Sequence, residues 1–235
     1  MDRLVAVRIF YEILDELRDR LHGYRTLKAC RASQDCAKQG VYFFFEPGEN
    51  RAQSGQGLRV VRVGTHAVSR GSKTTLWNRL SAHRGALRTG GGNHRGSVFR
   101  LLVGSAILRR DSLYCLTWGE GKSAGRETRD KEHNIEVLVS EHIRRMPFLW
   151  LDVPGPASAD CRRAYIERNA IGLLSNYCCT AEERIDPLSQ NWLGLYCQRD
   201  KVCKSGLWNS RHTGEGFDPA FLSMLRDLVT HARRS

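Results

Sequence analysis

Acidic residues are missing from a long central stretch of this sequence. Between Arg51 and Arg110 there is no Asp or Glu, whereas twelve basic residues occur there, eleven of them arginine. The whole chain of 235 residues carries a formal net charge of +12. Because a planar guanidinium matches phosphate oxygens better than an ammonium does, we expect a polyanionic partner, and DNA or another nucleic acid before any other class.

Long apolar runs are also missing. No stretch approaches the roughly 20 apolar residues that a membrane helix needs, and the opening residues carry charge where an export signal is apolar. We therefore expect no membrane partner and a cytoplasmic protein. The eight cysteines include no C-x-x-C pair, and the chain is long for a disulfide scaffold, so we expect buried, reduced thiols rather than disulfides or a zinc site.

The hydrophobic pattern predicts a small sheet surrounded by helices. Helices are predicted over residues 4–21, 76–83, 98–108, 131–145 and 161–177, with a last one from Asp218, and strands over 40–45, 58–64 and 147–153. The predicted fold class is α+β, with a three-stranded sheet flanked by helices and with N- and C-terminal helical additions. We expect an N-terminal helical extension (1–39), a core (40–194) with an insertion at about 111–145, and a C-terminal loop and helix (195–235) packed on the core.

Five short motifs follow one another along the predicted core. They are Gly40-Val41-Tyr42, Arg62-Val63-Gly64, the helical segment from Arg79 to His83, the helix around Glu167, and Pro187 to Asn191. In this order they resemble the motifs of the GIY-YIG nucleases, over residues 40–194. Each motif alone is weakly specific, whereas the ordered set of five is fairly specific.

The resemblance implies a chemical role for each motif. Tyr42 would be the general base, Arg79 and His83 would contact the scissile phosphate, Glu167 would bind Mg²⁺ or Mn²⁺, and Asn191 would support the site. The residues agree with this assignment, because positions four apart, such as 79 and 83, share one helix face. A carboxylate at position 167 borders an apolar face, which is costly unless something binds it, and a hydrated divalent cation suits it.

One position departs from the family pattern. The second motif normally carries a tyrosine, and here Arg62 stands in its place. Arg62, His66 or Lys73 would then supply a cation beside Tyr42 and bind the substrate, or the site is degenerate. The predicted function is a metal-dependent DNA endonuclease, of restriction or defence type because His83 resembles restriction-type members. The alternative is a basic nucleic-acid-binding module without catalysis.

Two further alternatives follow from single residues. An ion pair between Glu167 and Arg163, one helical turn earlier, would favour the binding module, whereas Glu167 near Tyr42 and Arg79 would favour the enzyme. Asp111 with Glu120 and Lys122 formally fits another nuclease motif, but these residues lie among glycines and not on a buried strand.

Two properties stay open at this point. The cluster from Trp208 to His212 either contacts bases or anchors a loop. A single active centre that cuts both strands of a palindrome usually implies a dimer, which leaves a homodimer open.

Overall fold

The computed structural model of the chain describes residues 1–30 and 36–232, so 31–35 of the predicted N-terminal extension and 233–235 of the C-terminal one lie outside it. Its helices are α1 (Arg3–Arg20), α2 (Leu76–Arg84), α3 (Val98–Arg110), α4 (Arg126–Arg145), α5 (Arg162–Leu174), α6 (Asp200–Ser205) and α7 (Ala220–Thr230). Its strands are β1 (Arg25–Thr26), β2 (Gly40–Asn50), β3 (Leu58–Thr65) and β4 (Pro147–Asp152). Within the described ranges no helix is long and apolar enough to cross a membrane.

The strands form one antiparallel sheet in the order β1-β4-β2-β3. The α+β fold class is confirmed, and the three predicted strands are its main members. The predicted strand count was one too low, because β1 has only two residues and is too short to show an alternating pattern. In the register of this sheet, Tyr42 lies between Gly64 on β3 and Trp150 on β4.

Both faces of β2 are covered, which explains its continuous apolar sequence. Successive side chains of a strand point to opposite faces. Phe43 packs edge-on against Phe10 of α1, with 5.8 Å between ring centroids, whereas Phe44 packs against Phe99 of α3 at 5.5 Å. Tyr42 and Phe44 also contact the His83 ring, so one face of β2 is directed towards α2 and α3.

Part of the positive charge of residues 51–110 is paired in the folded chain. Several of these arginines are buried against carboxylates from outside the acid-free stretch. Arg95 donates to Glu132 at 2.6 Å, and the Nε of Arg100 donates to Glu136 at 2.9 Å, both acceptors being on α4. Arg59 likewise pairs with Glu49 of β2. Folding therefore neutralises part of the charge that the sequence concentrates there.

Candidate active site

The two motif glycines allow β2 to approach its neighbours closely. A Cβ at Gly64 would lie 2.2 Å from the Oη of Tyr42, because the tyrosine ring lies directly over the glycine backbone. A Cβ at Gly40 would lie 2.1 Å from the carbonyl oxygen of Leu151 on β4. The glycines are therefore required by packing, and Gly64 in particular makes room for the Tyr42 hydroxyl.

Tyr42 and His83 form a buried hydrogen-bonded pair. The Oη of Tyr42 lies 2.8 Å from His83 Nε2, and His83 Nδ1 lies 2.7 Å from the Oγ of Ser97 at the start of α3. Burial, and after it the positive charges of Arg79 and Arg62, hold the pKa of His83 well below its ordinary value. The imidazole is therefore neutral and available as a hydrogen-bond acceptor for the tyrosine.

Arg62 is buried beside this pair. Its guanidinium donates to the carbonyl oxygen of Trp208, lies 4.6 Å from the centroid of the Phe99 ring and interacts with Tyr42. Burial lowers its pKa from the ordinary value. Within the described residues the Nε atoms of Arg62 and of Arg79 on α2 are both buried and have no hydrogen-bond partner. Of the three cations considered for the position beside Tyr42, Arg62 is the one found there.

Glu167 of α5 lies in the same electrostatic environment. Burial raises the pKa of its carboxyl group, and the charge of Arg62 partly offsets that effect. The alternative in which Arg163 neutralises Glu167 is wrong. Arg163 is buried and donates instead to the carbonyl oxygens of Val153 at 3.0 Å and Gly155 at 3.1 Å.

Arg62, Arg79 and Glu167 line a cavity of about 500 Å³. Its charged lining residues are four arginines and two acids, namely Arg62, Arg79, Arg168, Arg211, Asp160 and Glu167. Cations outnumber anions, so the cavity is suited to an anion. Tyr42 and His83 are buried and are not among the residues that line it, whereas Arg62 both lines the cavity and interacts with Tyr42.

Comparison with known proteins places this arrangement in a family. The GIY-YIG domain family matches residues 1–235. The chain belongs to this family. No curated protein and no solved structure matches the chain. Membership indicates a nuclease in general terms, and the match spans more than the 40–194 region that carries the motifs.

In this GIY-YIG protein a C-terminal loop completes the cavity. Trp208 donates its backbone N–H to Val61 at 2.6 Å, and the Asn209 side chain accepts from the N–H of Val63 at 3.1 Å and donates to its carbonyl oxygen at 2.8 Å. These bonds attach the loop to the outer edge of β3 and bring Arg211 and His212 to the cavity. The sequence indicated the cluster from Trp208 to His212 but not its position beside β3.

The remaining predicted site residues of the GIY-YIG protein lie elsewhere. His66 is buried, accepts from the Gly40 N–H at 3.2 Å and donates to the carbonyl oxygen of Thr74 at 2.8 Å, so both ring nitrogens bind backbone. Lys73 and Asn191 are exposed and do not line the cavity. The amide that does line it belongs to Asn209, eighteen residues after the predicted one (209 against 191).

Proposed function

We propose that this protein is a divalent-metal-dependent endonuclease that hydrolyses DNA phosphodiester bonds. The observation that carries the proposal is the pair of buried Nε atoms of Arg62 and Arg79, unpartnered within the described residues, at the cavity that contains Glu167. A buried donor without an acceptor is costly. A phosphate oxygen is the acceptor that a guanidinium suits best, so a bound phosphodiester would satisfy both arginines.

Tyr42 and His83 would handle the proton of the attacking water. As the water oxygen bonds to phosphorus, its proton passes to the Oη of Tyr42, whose own proton moves along the 2.8 Å hydrogen bond to His83 Nε2. The leaving oxygen takes the electron pair of the bond that breaks. A bound phosphate would neutralise Arg79 and Arg62, which are two of the groups that depress the pKa of His83, and would thereby favour this transfer.

The resting structure requires one movement for this step. Tyr42 is fully buried and does not line the cavity, whereas Arg62 lines the cavity and interacts with Tyr42. We propose that Arg62 moves towards the phosphate when the substrate binds, which admits the attacking water beside Tyr42. Catalytic contacts are often incomplete in the unbound enzyme, so this separation agrees with a catalytic Tyr42.

Glu167 fits a hard divalent cation. Within the described residues there is no group of three or more His, Cys, Asp or Glu side chains that could hold a metal, so a cation would keep several water ligands, as Mg²⁺ commonly does. Burial of the Glu167 carboxylate disfavours its charge, and a cation would stabilise the ionised form. When bound, the cation supplies positive charge that neutralises the leaving oxygen.

Cleavage of supercoiled plasmid by the purified protein tests the proposal. We expect nicked or linear DNA with Mg²⁺ or Mn²⁺, none with EDTA, and none with the Glu167→Ala variant. Glu182→Ala is the matched control, because Glu182 is exposed and does not line the cavity. DNA binding that weakens with salt, without cutting under either metal, would instead favour the binding module.

A restriction or defence role is the finer part of the proposal. It is supported by the helix that carries both Arg79 and His83, which resembles that of restriction-type members. Phage should form fewer plaques on cells that express the protein than on cells that express the Tyr42→Phe variant. Equal plaque numbers on the two strains over a panel of unrelated phages would remove the support for a defence role and would leave the proposed nuclease activity in place.

A further inference from the structure

The loop after α6 brings an imidazole close to Glu167. His212 and Glu167 both line the same cavity. The side chain of His212 is one-third exposed, at 32%, so it is accessible from the cavity while remaining partly enclosed. Glu167 therefore has a second possible ligand group as a neighbour.

The two ring nitrogens of His212 have different environments. Nδ1 lies 2.8 Å from the Oε1 of Glu215, whereas Nε2 meets no hydrogen-bond partner within residues 1–30 and 36–232. Histidines that bind metals usually donate their other ring N–H to a carboxylate or carbonyl, which fixes the tautomer and the ring orientation. The pair formed by His212 and Glu215 has this arrangement, with Nε2 left as the available donor atom.

The backbone holds His212 in place. Its φ of +63° lies in the left-handed region, which histidine adopts more readily than most residues other than glycine. The turn is closed by the N–H of Glu215, which donates to the carbonyl oxygen of His212 at 3.2 Å. The next residue, Thr213, accepts from the Oγ of Ser175 through its carbonyl oxygen at 2.6 Å. The imidazole is thus positioned before any ligand arrives.

We infer that His212 Nε2 is a direct ligand, together with the Glu167 carboxylate, of the divalent cation that the protein binds. The inference rests on the proposed function, which assigns Glu167 to the metal. An imidazole ligand favours Mn²⁺ over Mg²⁺, because nitrogen donors bind transition-metal ions more strongly than they bind Mg²⁺. The cavity carries four arginines, so a neutral imidazole adds a ligand without requiring a further buried anion.

Pulsed electron paramagnetic resonance of Mn²⁺ bound to the full chain tests this directly. The unmodified protein should show hyperfine coupling from one directly bonded nitrogen. His212→Gly should lose that coupling and should bind Mn²⁺ at least about tenfold more weakly in a titration of free Mn²⁺. Glycine tolerates the left-handed backbone without strain, so this variant keeps the loop conformation, and His212→Asn serves as a second variant for the same reason.

The control is Arg211→Ala, which changes the neighbouring cavity residue and should retain the nitrogen coupling. Bound Mn²⁺ without nitrogen coupling, with unchanged affinity in His212→Gly, would overturn the role of His212 and leave Glu167 as the ligand. If Glu167→Gln binds Mn²⁺ as well as the unmodified chain does, the metal part of the proposed function fails instead. The two failures are therefore distinguishable in one set of titrations.

Discussion

The close contact between Gly64 and Tyr42 predicts the effect of adding one methyl group. In Gly64→Ala the new Cβ would lie 2.2 Å from the Oη and 2.3 Å from the Cζ of Tyr42. Non-bonded carbon atoms in contact lie about 3.5–4.0 Å apart, so the ring must move by about 1 Å or the strands must separate. Overpacking of this kind costs about 1–3 kcal/mol of unfolding free energy.

The same displacement should impair the proposed chemistry. Tyr42 Oη is held 2.8 Å from His83 Nε2, and a shift of about 1 Å breaks that hydrogen bond. Misplacement of a reacting group by this distance costs roughly 10²-fold in rate. Plasmid cleavage by Gly64→Ala, measured under conditions in which urea denaturation shows the variant to be folded, should therefore fall by about two orders of magnitude.

A double-mutant cycle identifies the contact responsible. Tyr42→Ala removes the ring that meets the new methyl group, so Gly64→Ala should cost much less stability in that background than in the unmodified chain. The difference, measured from urea midpoints, should be about 1–3 kcal/mol. If Gly64→Ala costs the same in both backgrounds, or is neutral and fully active, the packing of Tyr42 over Gly64 is not what requires glycine here.

Two other perturbations have defined outcomes. Arg62→Leu should lower the rate of plasmid cleavage by roughly 10²–10³-fold, because it removes a proposed donor to the phosphate, and an unchanged rate would exclude that role. Glu136→Gln should lower the unfolding free energy by about 3–5 kcal/mol, since it leaves Arg100 buried without its ionic partner. Burial raises the pKa of Glu136, but hydrogen bonding from His94 and the charge of Arg100 outweigh burial and hold this pKa below its ordinary value of 4.5. The stability from this group is thus present above pH 4.5 and lost as the pH falls through the depressed value, so the melting temperature should fall on acidification, and less so in Glu136→Gln.

The parts of the fold that depend on neighbours in sequence could be predicted well. The hairpin of β2 and β3 follows from two apolar runs around a glycine-rich turn, and α2 follows from a capping threonine, Thr75, and helical spacing. The start of α4 was placed five residues too late, at 131 against Arg126, because its first turns are exposed and polar. The six-residue helix α6 was missed because it is too short for a periodic pattern.

The site was harder to predict where it depends on contacts distant in sequence. The spacing of Arg79 and His83 indicates a shared helix face, but nothing local shows that His83 faces inward to Tyr42. Asn209 lines the cavity and Asn191 does not, because the loop after α6 pairs with the edge of β3, which no periodicity reveals. Proximity to a motif in sequence is therefore weaker support for a site residue than attachment to the strand that carries the motif.

The pairing of the arginines also changes the expected strength of electrostatic binding. Each neutralised phosphate contributes about −0.9 to the slope of log K against log salt, so twelve free cations would give a slope of about −11. Arg59, Arg95 and Arg100 are bound to carboxylates, whereas four arginines line the cavity, which gives a slope of about −4 if each contacts one phosphate. DNA binding measured by fluorescence anisotropy over a range of salt concentrations distinguishes these values. A slope near −11 would mean that cations outside the cavity dominate binding, and the concentration of positive charge at the cavity would then not be the main determinant of affinity.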